Sequence, residues 1–226
     1  MLQNIKGLFK KDIVKVFSIN TLSTLIKLLT GFVGVKVVAV LIGPDGIALL
    51  GQLTNFSAIF LTLSTAGIAT GVTKYVAEYS GSEKKIRSLL QTSVYITILS
   101  SLACGLTIAI GSTFFSELIL NDKQFSSIFI IFGGTIGLYA LSILLLSILN
   151  GFGEFKKYAV INTAGSLIGL SFSVILASSY GTYGALMSAV TFQSVVFVIG
   201  LFITSRSGWF RWDFFLENLL NLKPSS

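Results

Sequence analysis

The chain has 226 residues, of which 53% are hydrophobic and only 11% charged, with 16 Lys+Arg against 9 Asp+Glu for a net charge of +7. A soluble domain carries roughly 25% charged residues, so these few charges could not coat a water-soluble globule, and the long apolar runs point to lipid as the solvent. No histidine is present, which excludes imidazole catalysis and histidine metal sites, and the single cysteine, Cys104, permits no internal disulfide and reads as a small apolar filler.

The N-terminal arm, residues 1–15, carries Lys6, Lys10, Lys11 and Lys15. The apolar run behind it, Val16–Ile42, exceeds a signal-peptide core of ~7–15 residues and ends in no small-x-small cleavage site. It therefore reads as a permanent first membrane helix. A spanning helix needs ~20 apolar residues, because the hydrocarbon core is ~30 Å thick and each residue rises ~1.5 Å.

Six runs meet that length: Val16–Ile42, Ile47–Val76, Ser88–Gly111, Phe125–Leu149, Tyr158–Ser178 and Tyr183–Thr204. The second is long enough to tilt or to extend past the bilayer. Turn formers separate the runs at Gly43-Pro44-Asp45-Gly46, at Asn150-Gly151-Phe152-Gly153 and at Ser178-Ser179-Tyr180-Gly181. Spanning strands would alternate apolar and polar residues over ~10 positions, and these runs do not. The fold class expected is all-α integral membrane.

Basic residues alternate between connections. The arm has its four lysines, the second connection has Lys74, Lys84, Lys85 and Arg87, the fourth has Lys156 and Lys157, and the tail has Arg206, Arg211 and Lys223. The odd-numbered connections hold only Lys123. The positive-inside rule puts the basic connections, and both termini, in the cytoplasm. Residues 16–205 form the six-helix transmembrane unit. Residues 206–226, with Trp209, Phe210, Trp212, Phe214 and Phe215, read as an interfacial cytoplasmic tail. The positive charge matches an anionic membrane, and nucleic acid is not expected as a partner.

Lys27 and Lys36 fall inside the first run. A lysine at mid-membrane costs ~2.5–3.5 kcal/mol on insertion scales and usually faces a bundle interior or a watery cavity. At ~100° per residue, Asn20, Ser23, Thr24, Thr30, Gly31 and Gly34 lie within ~60° of Lys27. Leu22, Leu25, Leu28, Leu29 and Phe32 point elsewhere. Two readings fit this face: a helix contact held by small polar residues, or a hydrated cavity that attracts anions. Lys36 is turned ~180° from Lys27 on a straight helix; it snorkels to the surface or is brought round by a bend at Gly31 or Gly34.

In the second run Gln52 and Asn55 share a face, with Thr70, Thr73 and Lys74 loosely on the same side. They are candidates for cavity lining, although Lys74 also suits a positive-inside role near the helix end. The fifth run places Asn162, Gly165, Ser166, Gly169 and Ser173 on one face, for close packing or for cavity lining. Three Gly-x-x-x-Gly pairs occur: Gly67/Gly71, Gly133/Gly137 and Gly165/Gly169. No acid lies well inside any run, no phosphate-binding loop is present, and no acid or Cys/His cluster suggests a metal. An enzyme is not expected, nor a cofactor.

The stretches Thr24–Gly46 (TLIKLLTGFVGVKVVAVLIGPDG) and Gly67–Tyr79 (GIATGVTKYVAEY), above all Gly71-Val72-Thr73-Lys74-Tyr75-Val76-Ala77, resemble the N-terminal half of the Wzx-type translocases. These belong to the multidrug/oligosaccharidyl-lipid/polysaccharide exporter superfamily. The resemblance implies one six-helix lobe of a two-lobe, alternating-access flippase in the bacterial inner membrane. The substrate it implies is an undecaprenyl-diphosphate-linked oligosaccharide, an O-antigen or enterobacterial common antigen unit, moved from the cytoplasmic to the periplasmic leaflet. It also implies a substrate-binding cavity in which Lys27, Lys36 and Lys74 match basic positions, with Asn20, Gln52 and Asn55 beside them. A second six-helix lobe and polysaccharide polymerase machinery are the partners implied. The chain stops at Leu222-Lys223-Pro224, about where a linker to that lobe is expected. Rival readings are a drug/cation antiporter of the same superfamily, which would favour buried acids over lysines, a membrane glycosyltransferase or polymerase, which would need larger loops, and a truncated remnant without transport activity.

Overall fold

The computed structural model describes the backbone of residues 2–206 and the side chains of residues 21–206. Met1, residues 207–226 and the side chains before Thr21 lie outside the described residues, and with them Lys6, Lys10, Lys11, Lys15, the Asn20 side chain and the aromatic tail.

The described residues are helical from end to end. They form α1 (Leu2–Ser64), α2 (Ala69–Tyr79), α3 (Glu83–Ile110), α4 (Ser112–Leu120), α5 (Ser126–Gly151) and α6 (Phe155–Thr204), with one 3-10 turn at Lys123–Phe125. Four of these are long and apolar enough to cross a membrane: α1, α3, α5 with the turn before it, and α6. Both very long helices are interrupted by a glycine in a conformation that side chains avoid. Gly43 has φ 73° and ψ 179°. Pro44 follows it, which disfavours helical torsions at position 43 and suits the first turn of the next segment. Gly181 has φ 57° and ψ −137°. We call the arms α1a (2–42), α1b (44–64), α6a (155–180) and α6b (182–204).

The arms of α6 form a hairpin. Ser173 and Ser188 hydroxyls lie 3.2 Å apart, whereas fifteen residues of straight helix would separate them by ~22 Å. The antiparallel register continues down the pair. A Cβ on Gly169 would sit 3.1 Å from the Phe192 ring, and one on Gly165 3.2 Å from Val196. Gly200 meets Ile161 at 3.5 Å in the same sense. Each step of four along one arm is met by a step of four along the other.

Against α6a lies α1a, running parallel to it. Ser23 donates to the Ala159 carbonyl at 3.2 Å and pairs with Thr163 at 3.1 Å. Further along, Gly34 touches Leu170, and Val38 packs with Ala177 and Ala185. On the other side of α6b runs α5, with Ser127–Tyr183 at 3.0 Å, Thr135 donating to the Val190 carbonyl at 3.0 Å and Gly200 against Leu145. Helix α3 also crosses α5 at close range: a Cβ on Gly105 would lie 2.5 Å from the Gly133 carbonyl oxygen, and one on Gly133 2.6 Å from that of Gly105. In lipid, where apolar side chains gain nothing by leaving water, such close backbone approach is what draws helices together.

The largest apolar core among the described residues joins α1b, α4 and α5, with Ile108 of α3 and Leu186 and Val190 of α6b. Phe56 lies 5.1 Å from Phe115 and 5.3 Å from Phe129, ring centre to ring centre, with Leu53, Phe132 and Ile136 fully or nearly buried around them.

The second expected run, Ile47–Val76, is not one helix. It breaks at residues 65–68, where Ala66 (φ 49°) and Gly67 (φ 65°) are left-handed, so Lys74 belongs to the separate helix α2. The apolar composition carried across a turn that Ser64-Thr65-Ala66-Gly67 could have signalled. The connection after Gly111 holds a further short helix, α4. The breaks at Gly43, Gly153 (φ 70°) and Gly181 fall within the three expected turns.

Basic residues gather at one end of the bundle. Thr73 of α2 donates to the Ser147 carbonyl at 3.1 Å, and Val76 closes on Gly151, which sets Lys74 and the α2–α3 corner beside the C-terminal end of α5. The turn to α6 follows there and brings Lys156 and Lys157. Lys123 lies at the opposite end, just before the start of α5.

A candidate headgroup cleft halfway along the bundle

Between α1a, α5 and the two arms of α6 opens a cleft of about 550 Å³. That is within the ~300–1,000 Å³ of ordinary ligand sites. One wall comes from α1a through Lys27, Thr30, Gly31, Gly34 and Val38. A second comes from α6a through Asn162, Gly165, Ser166, Gly169 and Ser173. The far side is closed by Tyr139 of α5 and by Phe192 and Gln193 of α6b.

Glycine makes the space. Gly165 and Gly169 let α6b press against α6a, as their short distances to Val196 and Phe192 show, while Gly31 has nothing within 4 Å of where a Cβ would sit. Ser23 and Gly34 hold α1a against α6a above and below the opening. The Lys27 face thus makes helix contacts at Ser23 and Gly34 and leaves an opening between them at Lys27, Thr30 and Gly31.

The polar groups of the cleft are one ammonium, several hydroxyls and two amides. Gln193 is braced by its amide nitrogen, which donates to the Ser142 hydroxyl at 3.1 Å. Asn162 donates to the Tyr158 carbonyl at 3.1 Å, and Ser166 to the Asn162 carbonyl at 2.9 Å. Thr30 turns its hydroxyl onto the Ile26 carbonyl at 2.8 Å. Among the described residues no carboxylate lines the cleft, and Lys27 makes no ion pair. Lysine is a compact three-donor cation, so the arrangement can attract an anion and offer hydrogen bonds to a polyol around it. Among the described residues no cluster of potential ligands could hold a metal.

Of the other expected site residues with described side chains, none lines this cleft. Lys36 is exposed and lies over the Phe32 ring at 5.1 Å, one turn back on α1a. Gln52 and Asn55 are exposed on α1b. Lys74 lies over the Tyr75 ring at 5.2 Å on α2. Asn20 lies outside the described side chains. The structure adds Gln193, Ser142 and Tyr139, which the sequence reading passed over. Their signal was present: a single amide in the last apolar run, and the one tyrosine of the fourth run, near its centre.

A multi-pass, all-helical membrane bundle with a basic polar cleft between its helices is the class these features define. The chain belongs to the polysaccharide biosynthesis protein family, whose match covers residues 13–225. It is 26% identical over 193 residues to the lipid III flippases of Escherichia coli K12 and Shigella flexneri, covering 82% of this chain and 45% of each relative. The chain thus spans about half the length of the curated relatives it matches. No solved structure matches it.

Proposed function

We propose that this chain is one half of an inner-membrane flippase for lipid-linked oligosaccharide. The observation that carries the reading is Lys27: an exposed cation without a described ion-pair partner, lining a cleft of hydroxyls and amides between apolar helices. A lipid-linked sugar has an isoprenoid tail content in hydrocarbon and an anionic, polyhydroxylated head that is not. The cleft would give that head what bulk lipid withholds. Lys27 meets the diphosphate, while Asn162, Ser166 and Gln193 offer hydrogen bonds to sugar. A hydrogen bond or charge placed in low dielectric counts for more than in water.

On this reading the basic end of the bundle is cytoplasmic, both termini face the cytoplasm, and the six-span arrangement follows from counting each arm of α1 and α6 as a crossing. A second lobe of similar build completes the transporter, and rocking of the lobes exchanges access. The substrate would be an undecaprenyl-diphosphate-linked repeat unit of the O-antigen or enterobacterial common antigen type, passed on to polymerase machinery. The relatives' name, lipid III flippase, supports a lipid-linked substrate. A cationic drug would meet the Lys27 ammonium with repulsion, which disfavours a drug/cation antiporter.

In the producing strain, Lys27→Ala should stop export of the polymer at unchanged protein level, with lipid-linked oligosaccharide accumulating in the cytoplasmic leaflet. Lys27→Arg should keep part of the activity. Normal export by Lys27→Ala would take Lys27 out of the mechanism.

A further inference from the structure

The α2–α3 corner holds a second basic cluster, built quite differently from the cleft. Tyr75 and Tyr79 stack one helical turn apart, ring centres 5.6 Å apart and planes 27° from parallel. An ammonium lies on each ring. Lys74 is 5.2 Å from the centre of Tyr75, and Lys85, arriving from α3 across the turn, is 5.2 Å from that of Tyr79. Two like charges thus flank one aromatic pair, with Lys84 exposed between them in sequence.

The contrast with Lys157 is instructive. That ammonium is neutralised by Glu154 at 2.6 Å, whereas neither Lys74 nor Lys85 makes an ion pair among the described residues. An aromatic face attracts a cation without cancelling its charge or occupying its donors. Both ammoniums therefore keep hydrogen-bonding capacity for an outside anion.

The corner is also held firmly in place. Val72 and Val76 are buried against Ile86, Leu90, Leu144 and Ile148, and Thr73 and Gly151 lock α2 to the end of α5. It stands where the membrane-crossing helices α3 and α5 end, which is the depth of lipid headgroups. Tyrosine prefers that depth, with its ring in the acyl boundary and its hydroxyl in water.

We infer that Lys74, Lys85, Tyr75 and Tyr79 form a binding site for the headgroup of an anionic phospholipid of the surrounding leaflet. Each ammonium offers its donors to the headgroup phosphate from its own ring, and the tyrosine pair lies along the upper acyl chains. The site is independent of the cleft and of what the cleft carries. It would pin the α2–α3 corner to the membrane surface.

The test uses the full chain purified in detergent, with phosphatidylglycerol or phosphatidylcholine added at equal concentration and retained lipids counted by native mass spectrometry. The intact protein should hold phosphatidylglycerol in clear preference. Each basic residue near an anionic surface contributes about fivefold in affinity, so Lys74→Gln with Lys85→Gln should weaken phosphatidylglycerol retention by roughly 20-fold and leave phosphatidylcholine unchanged. Lys74→Arg with Lys85→Arg should restore it. Lys123→Gln, at the opposite end of the bundle, should have no effect. The two single Lys→Gln variants, each at an exposed position, provide the same readout at roughly fivefold should the double variant fold poorly. Equal retention of the two lipids by the intact protein, or undiminished phosphatidylglycerol retention in the Lys→Gln variants, would overturn the assignment. So would a loss that Lys→Arg fails to restore.

Discussion

Helices α1 and α5 are nearly equal in hydropathy, yet 44% of the most apolar window of α5 is buried inside the protein and only 6% of that of α1. In α5, Ile128, Phe129, Phe132, Ile136 and Ala140 are completely covered. In α1a, Leu22, Leu28, Leu29 and Phe32 are all at least 60% exposed. In water such a difference would show in composition, because an exposed helix must be polar on one face. In lipid it need not, since hydrocarbon solvates leucine as well as a protein interior does. What separates the two helices is how their small residues are placed. On α5, Gly133 and Gly137 meet α3 at Gly105 and Ser101. On α1a, the small and polar positions Ser23, Thr30, Gly31 and Gly34 surround Lys27 and leave a gap. One helix is a structural hub, and the other is a wall with a functional face.

Paired substitutions sharpen that contrast. The largest effect on stability is expected at Phe132, which is fully buried on α5. Separated helices already sit in hydrocarbon, so the transfer contribution drops out and the cavity and lost contacts remain; Phe132→Ala should cost about 2–3 kcal/mol, below the ~3–5 kcal/mol of core phenylalanine truncations in water. The thermal midpoint in a fixed detergent reports it. Next comes Gly133→Leu at the α3 crossing, where a Cβ already overlaps the Gly105 carbonyl; prising the helices apart should cost about 1–3 kcal/mol. Phe32→Ala on α1a is the counterpart. This phenylalanine is 63% exposed and touches the Lys36 ammonium, so its loss should cost less than about 1 kcal/mol. Comparable shifts for Phe132→Ala and Phe32→Ala would break the distinction between hub and wall.

Much of this organisation was legible in the sequence. The apolar runs gave the helices, the alternating lysines marked one end of the bundle, and the glycine-containing turns fell at Gly43, Gly153 and Gly181 because glycine adopts the positive φ found there without steric cost. The stripe through Asn162, Gly165, Ser166 and Gly169 pointed to the fifth run, and the structure sets it opposite Lys27. What the sequence did not disclose was partnership. Hydropathy could not say that α1b leans on Phe115 and Phe129 rather than continuing to Val76, because a left-handed Ala66 leaves no apolar signature. Nor could helical periodicity show that Gln52 and Asn55 stand apart from the Lys27 cleft, since a shared polar character says nothing about which way the two arms of α1 face.

The central claim is that water reaches Lys27 within the apolar bundle. In a Cys104→Ala background, Lys27→Cys and Leu29→Cys place one thiol in the cleft and one on the lipid-facing side of the same helix. A charged methanethiosulfonate reagent reacts only with a thiolate, which forms only where water is present. In native membranes the cysteine at position 27 should be modified much faster than that at position 29. Protection of both positions alike would contradict a hydrated path past α1, while leaving the helical bundle itself intact.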